Sequence, residues 1–97
     1  MFKKKRGIKL SYEEQGLIFF VCRNYKRMPN KIKAKICCLC KAVAGDDWTP
    51  LFLLVTKKGR DIEQVASEYY ISDKRLAKYR KLFYESFFEY MGEMSDN

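Results

Sequence analysis

Apolar residues recur along most of this chain at steps of three and four. That period belongs to helices with one buried face, so the sequence predicts an all-α fold of about five helices with no sheet. Helix-start signals stand at Ser11, Pro29, Thr49 and Ser72. Ser11 and Glu14 form a capping box, in which each side chain satisfies a backbone N–H at the helix start. Behind them Leu17, Ile18, Phe20, Val21 and Tyr25 supply a wide apolar face, with Phe19 beside it. Arg23, Lys26 and Arg27 suit the negative end of that first helix, and Pro29 stops it. A second helix spans 30–44, where Ile32, Ile36, Leu39, Cys40 and Val43 fall on one stripe. Lys31, Lys33, Lys35 and Lys41 lie mainly off the stripe, and Gly45 and Asp46 end the helix. A third helix is expected over 48–58, with Thr49 as cap, Pro50 at the first helical position and Gly59 as stop. Leu51, Phe52, Leu54 and Val55 bury it, and Lys57 and Lys58 close it.

The stretch 61–81, DIEQVASEYYISDKRLAKYRK, organises the rest. Ile62, Val65, Ala66 and Tyr69 give one short helix an apolar face. Ile71 interrupts the period, and Ser72 can cap a second helix by accepting from a backbone N–H. Asp73 places negative charge in its first turn, and Leu76, Tyr79 and Phe83 form its buried stripe. Small Ala66 allows the two helices to cross closely. This spacing looks like a DNA-binding helix-turn-helix with 73–81 as the recognition helix. Tyr70 stands where such units often carry glycine, the residue most at ease in a left-handed conformation. The last helix continues through LFYESFFEYM, with the tail beyond Met91 expected to fray.

Charge sharpens the picture. The 97 residues suit one helical domain, 1–97, and carry a formal net charge of +8 with a pI near 9.4, which favours an anionic partner such as nucleic acid. Lys74, Arg75, Lys78, Arg80 and Lys81 crowd residues 73–81 against the single Asp73, whereas 82–97 holds acidic residues and no basic one. Residues 1–10 carry Lys3, Lys4, Lys5, Arg6 and Lys9, which reads as a flexible basic arm, either simply solvated or reaching phosphates. No apolar run approaches the roughly 20 residues of a membrane span, and no signal-peptide pattern follows the basic start. A cytoplasmic protein of bacterial or phage-like setting is expected.

Motifs for chemistry are sparse. Histidine is absent, so the commonest general base is missing. There is no phosphate-cradling glycine loop and no nucleophile elbow, and an enzyme is not expected. Cys37 and Cys40 make a C-x-x-C, but Cys37, Cys38 and Cys40 point in different directions on a helix. Cys40 belongs to the apolar stripe and Cys22 flanks that of the first helix, which suits small buried residues; neither metal nor cofactor is expected.

The segment from the third helix into the last resembles the carboxy-terminal helix-turn-helix of sigma-factor region four and of small sigma-like regulators of phages and mobile elements. Ile62, Val65, Ala66, Tyr69, Ile71, Ser72, Leu76 and the basic positions after Ser72 carry the resemblance. It implies a transcriptional regulator that binds double-stranded DNA, with RNA polymerase as a possible partner. Position by position, Ser72, Asp73, Lys74, Ala77, Lys78 and Lys81 would face the groove. Lys74 and Lys78 would meet base edges, and Arg75, Arg80 and Lys81 phosphates. The alternatives are a phage packaging or replication accessory protein, or a module that binds RNA polymerase or a host protein through its aromatic carboxy-terminal helix. The apolar run Phe83, Tyr84, Phe87, Phe88, Tyr90 and Met91 also suggests a homodimer.

Overall fold

Capping fixes where the helices begin. In the computed structural model, which describes residues 7–57 and 59–95, the Ser11 hydroxyl accepts from the Glu14 N–H at 3.1 Å. The Glu14 carboxylate in turn accepts from the Ser11 N–H at 2.8 Å. Helix α1 follows over Tyr12–Arg23. It ends before the expected stop at Pro29, at Asn24, whose backbone N–H and side-chain amide both donate to the Phe20 carbonyl, at 3.1 and 2.8 Å. Tyr25–Arg27 is a separate 3-10 turn. Helix α2 spans Asn30–Ala44 and ends at Gly45, whose φ of 57° needs glycine's freedom. A 3-10 turn over Gly45–Asp47 leads directly into α3, Trp48–Thr56. Thr49 is therefore inside the helix rather than its cap. Pro50 sits third in the helix, where its missing N–H has no intrahelical partner to lose. Helix α4 is Ile62–Glu68 and α5 is Asp73–Ser95. At 1.5 Å per residue α5 is roughly 35 Å long, and it runs past Met91 instead of fraying there.

The fold is all-helical, with no strand among the described residues. Helices α1, α2 and α3 pack along α5, and α4 packs between α3 and α5. Ile18, Ile36, Cys40, Leu51, Val65, Leu76, Phe83 and Phe87 are fully enclosed. Phe83 stacks on Phe87, with ring centroids 5.7 Å apart. The aromatic run of α5 is thus absorbed by the protein's own core: Phe83, Tyr84 and Phe87 are buried, and Phe88, Tyr90 and Met91 pack against them. Much of the run that suggested a homodimer is used within the protein's own core. No helix among the described residues is long and apolar enough to cross a membrane.

Helix α1 turns a different face inward than its apolar residues suggest. Gln15, Ile18 and Cys22 are buried, while Leu17 and Phe20 are 47% and 62% exposed. Gln15 is tolerated in the core because its amide donates to the Leu10 carbonyl at 3.1 Å. That bond ties down the segment before α1. Ile8 is buried, and the Lys9 N–H donates to the Glu85 carboxylate at 3.1 Å, so residues 8–10 are docked rather than frayed. Lys3, Lys4, Lys5, Arg6 and Lys58 lie outside the described residues.

Candidate nucleic-acid interface

The short helix α4 is held at both ends by its own sequence. Asp61 accepts from the Gln64 N–H at 2.9 Å and the Gln64 side chain accepts from the Asp61 N–H at 3.3 Å, a second capping box. At the other end the Ile71 N–H donates to the Ala66 carbonyl at 3.0 Å and the Tyr70 N–H to the Ser67 carbonyl at 3.4 Å. This pair of bonds is a Schellman stop, which requires a left-handed residue between them. Tyr70 fills that place at φ 57°. Val65 and Ala66 are buried under the turn, and Tyr70 is almost fully exposed.

Ser72 then starts α5, its hydroxyl accepting from the Arg75 N–H at 3.1 Å. Leu76 and Phe83 face the core, and Tyr79 is half-buried beside them. On the opposite face Lys74 and Lys78 are exposed. They stand about 40° apart around the helix axis, and Lys81 lies within about 60° of Lys78. Lys81 is half-exposed and pairs with Glu85 at 3.8 Å.

Two arginines depart from the expected arrangement. Arg75 is exposed but engaged: its Nε donates to the Tyr79 hydroxyl at 2.9 Å and its guanidinium meets the Asp47 carboxylate at 3.1 Å. The Tyr79 hydroxyl donates to the same carboxylate at 3.0 Å. Asp47 thereby joins the corner between α2 and α3 to the first turns of α5, which also explains why its side chain does not cap α3. Arg80 lies about 200° around the helix from Lys78, on the core side. Its Nε is shielded from water without a hydrogen-bond partner, and desolvation lowers its pKa. Lys74, Lys78 and Lys81 are brought together on one outer face, with Arg75 at its flank; Ser72 stands at the helix start as its cap, and neither it nor Arg80 is among them.

Elsewhere cations cover rings. Lys35 stands 4.8 Å from the Tyr90 ring centroid and Lys41 4.9 Å from that of Trp48. The thiols differ in burial: Cys22 and Cys40 are buried, Cys37 is half-buried and Cys38 exposed. No group of three histidine, cysteine or acidic side chains among the described residues is placed to hold a metal ion. Comparisons with protein-family models, curated proteins and solved structures found no match to this chain.

Proposed function

We propose that this protein is a DNA-binding transcriptional regulator that lays α5 in the major groove. The observation that carries the reading is the α4–turn–α5 unit. A Schellman stop and a serine cap hold two crossed helices, and the second presents Lys74, Lys78 and Lys81 on an outer face. Lysines in that position donate to guanine O6 and N7, and those at the flank neutralise phosphates. Arg75 joins the contact by exchanging Asp47 for a phosphate. The net charge of +8 supplies the sequence-independent attraction.

Fluorescence anisotropy with a random duplex at low and high salt tests this. Binding that weakens steeply with salt, and that Lys74→Ala with Lys78→Ala reduces, is the expected result. No binding at low salt would end the reading. A second reading, a protein-interaction module, draws on Leu17 and Phe20, which stand exposed three residues apart on the outer face of α1. RNA polymerase or a host protein would be the partner there.

A further inference from the structure

A basic cleft opens at the other end of α3 from Asp47. It has a volume of about 460 Å³ and is walled by Arg23, Lys26, Arg27 and Lys57, with Tyr25 and Phe52 among its other lining residues. Sites for small ligands have volumes in this range. Four cations line it, and no carboxylate does. The C-terminal ends of α1 and α3 meet here and bring some negative charge, but only about half a unit each. Four full positive charges are about four times that, so the dipoles alone do not account for the cluster.

Arg23 is built in rather than draped on the surface. Its guanidinium donates to the Leu54 carbonyl at 3.5 Å and stands 4.8 Å from the Phe19 ring centroid. Its Nε is shielded from water and has no hydrogen-bond partner. Burial lowers its pKa, and the groups acting against that are Tyr84 and Cys22 rather than a carboxylate. Lys26, Arg27 and Lys57 are exposed, so their donors are available. Tyr25 and Phe52 meet edge to face, with centroids 5.1 Å apart, and give the cleft an apolar surface beside its cations.

We infer that this cleft is a phosphate-binding site, with Arg23 as its fixed donor and Lys26, Arg27 and Lys57 as its exposed ones. Phosphate oxygens are the acceptors that several convergent cations match best, and arginine binds them through two parallel N–H bonds. The phosphate belongs either to a soluble nucleotide, whose base would lie against Tyr25 and Phe52, or to a nucleic-acid backbone. The inference does not depend on α5 reading DNA.

The test is an amide-resolved NMR titration of the full chain with inorganic pyrophosphate, at an ionic strength held constant with potassium chloride. Saturable shifts confined to residues 24–27 and 52–57 are expected. Arg27→Gln with Lys57→Gln should weaken the affinity by about tenfold or more. Lys31→Gln with Lys41→Gln, an equal loss of charge on α2, should leave it nearly unchanged. All four positions are exposed, so folding is spared. Shifts that never saturate, or equal weakening by both pairs, would overturn the site in favour of general charge attraction. A random duplex then identifies the source. Displacement of pyrophosphate from the cleft amides assigns the site to backbone phosphate, and simultaneous binding assigns it to a soluble nucleotide. Pyrophosphate binding with no duplex binding at all would keep the cleft and remove the helix-turn-helix reading.

Discussion

Ile71 closes the turn before α5 by donating its backbone N–H to the Ala66 carbonyl at 3.0 Å, and it does so across a tyrosine held at φ 57°. A left-handed residue with a Cβ costs roughly 1–2 kcal/mol, and glycine escapes this while losing part of the gain to its freer unfolded chain. Tyr70→Gly should therefore stabilise the protein by about 0.5–1 kcal/mol. Tyr70→Val should do the opposite, since β-branching makes the left-handed region worse. The Tyr70 side chain is 95% exposed, so little packing is lost in either variant. Urea melts of the three proteins decide it; a lower midpoint for Tyr70→Gly would show that the turn does not hold this conformation.

Asp47 gives variants whose two readouts move in opposite directions. Its carboxylate is three-quarters enclosed and accepts from both Tyr79 and Arg75. Asp47→Ala should cost about 1 kcal/mol of stability through the lost hydrogen bonds. It also frees Arg75 and removes a negative charge beside the proposed groove face, so affinity for a duplex at low salt should rise. Stability and affinity measured on the same preparation separate this from simple damage. A fall in both would mean that Arg75 is positioned by Asp47 rather than withheld by it.

The buried acids make the fold sensitive to alkali. Burial pushes the Cys22 thiol up to about 12, opposed by Arg23, and it pushes the Tyr84 hydroxyl up to about 12. Cys40 is raised too, first by burial and then by the neighbouring Cys22 and Cys37 thiols. In the unfolded chain these groups ionise from about 8.5 for cysteine and 10 for tyrosine. Their stabilising contribution is thus whole below about pH 8, and above that it is lost by up to roughly 1.4 kcal/mol per pH unit for each group. Urea midpoints should be flat between pH 7 and 8 and fall steeply by pH 10. Cys22→Ala should make the fall shallower. At pH 8 a thiol reagent should label Cys38 promptly and leave Cys22 and Cys40 until the protein unfolds. Cys40→Ser, placing a hydroxyl in the core, should cost about 1–3 kcal/mol, and Cys38→Ser almost nothing. Equal labelling of all four thiols would contradict the packing.

Elements whose signals are local were legible in the chain. The stripe from Ile32 to Val43 and the stop at Gly45 bound α2 as found, and the Ser72 cap starts α5. The Asp61–Gln64 box was also present in the letters, but as an aspartate–glutamine version of the motif. Helix α1 shows what local reading misses. It carries apolar residues on most of its circumference, so periodicity cannot choose between a Leu17–Phe20 face and a Gln15–Ile18–Cys22 face. The choice depends on Leu10 accepting from Gln15 and on how α3 and α5 pack, neither of which is encoded in spacing. The Asp47–Tyr79 bond joins residues 32 apart, and Arg23, Arg27 and Lys57 meet only because α1 and α3 end side by side.

The contrast between Arg80 and Lys81 tests the groove face itself. Adjacent basic residues are indistinguishable as sequence, and both suit phosphate contact. On α5 they are about 100° apart, which puts Arg80 against the core and Lys81 toward the outer face. Lys81→Met should weaken binding to specific and random DNA alike and flatten the salt dependence by about one unit of slope, because one counterion fewer is released. Arg80→Met should leave that slope unchanged. Its effect should appear in stability, and it should be neutral or favourable, since methionine fills a similar volume without a buried cation that lacks an acidic partner. Lys78→Ala adds the third outcome: a loss of about 1–3 kcal/mol on a specific site and much less on random DNA. Glu89, farther along the same face, should matter little to either. Equal slopes for Arg80→Met and Lys81→Met would mean that DNA approaches α5 from another side. Equal losses for Lys78→Ala on both DNAs would mean that α5 does not read bases.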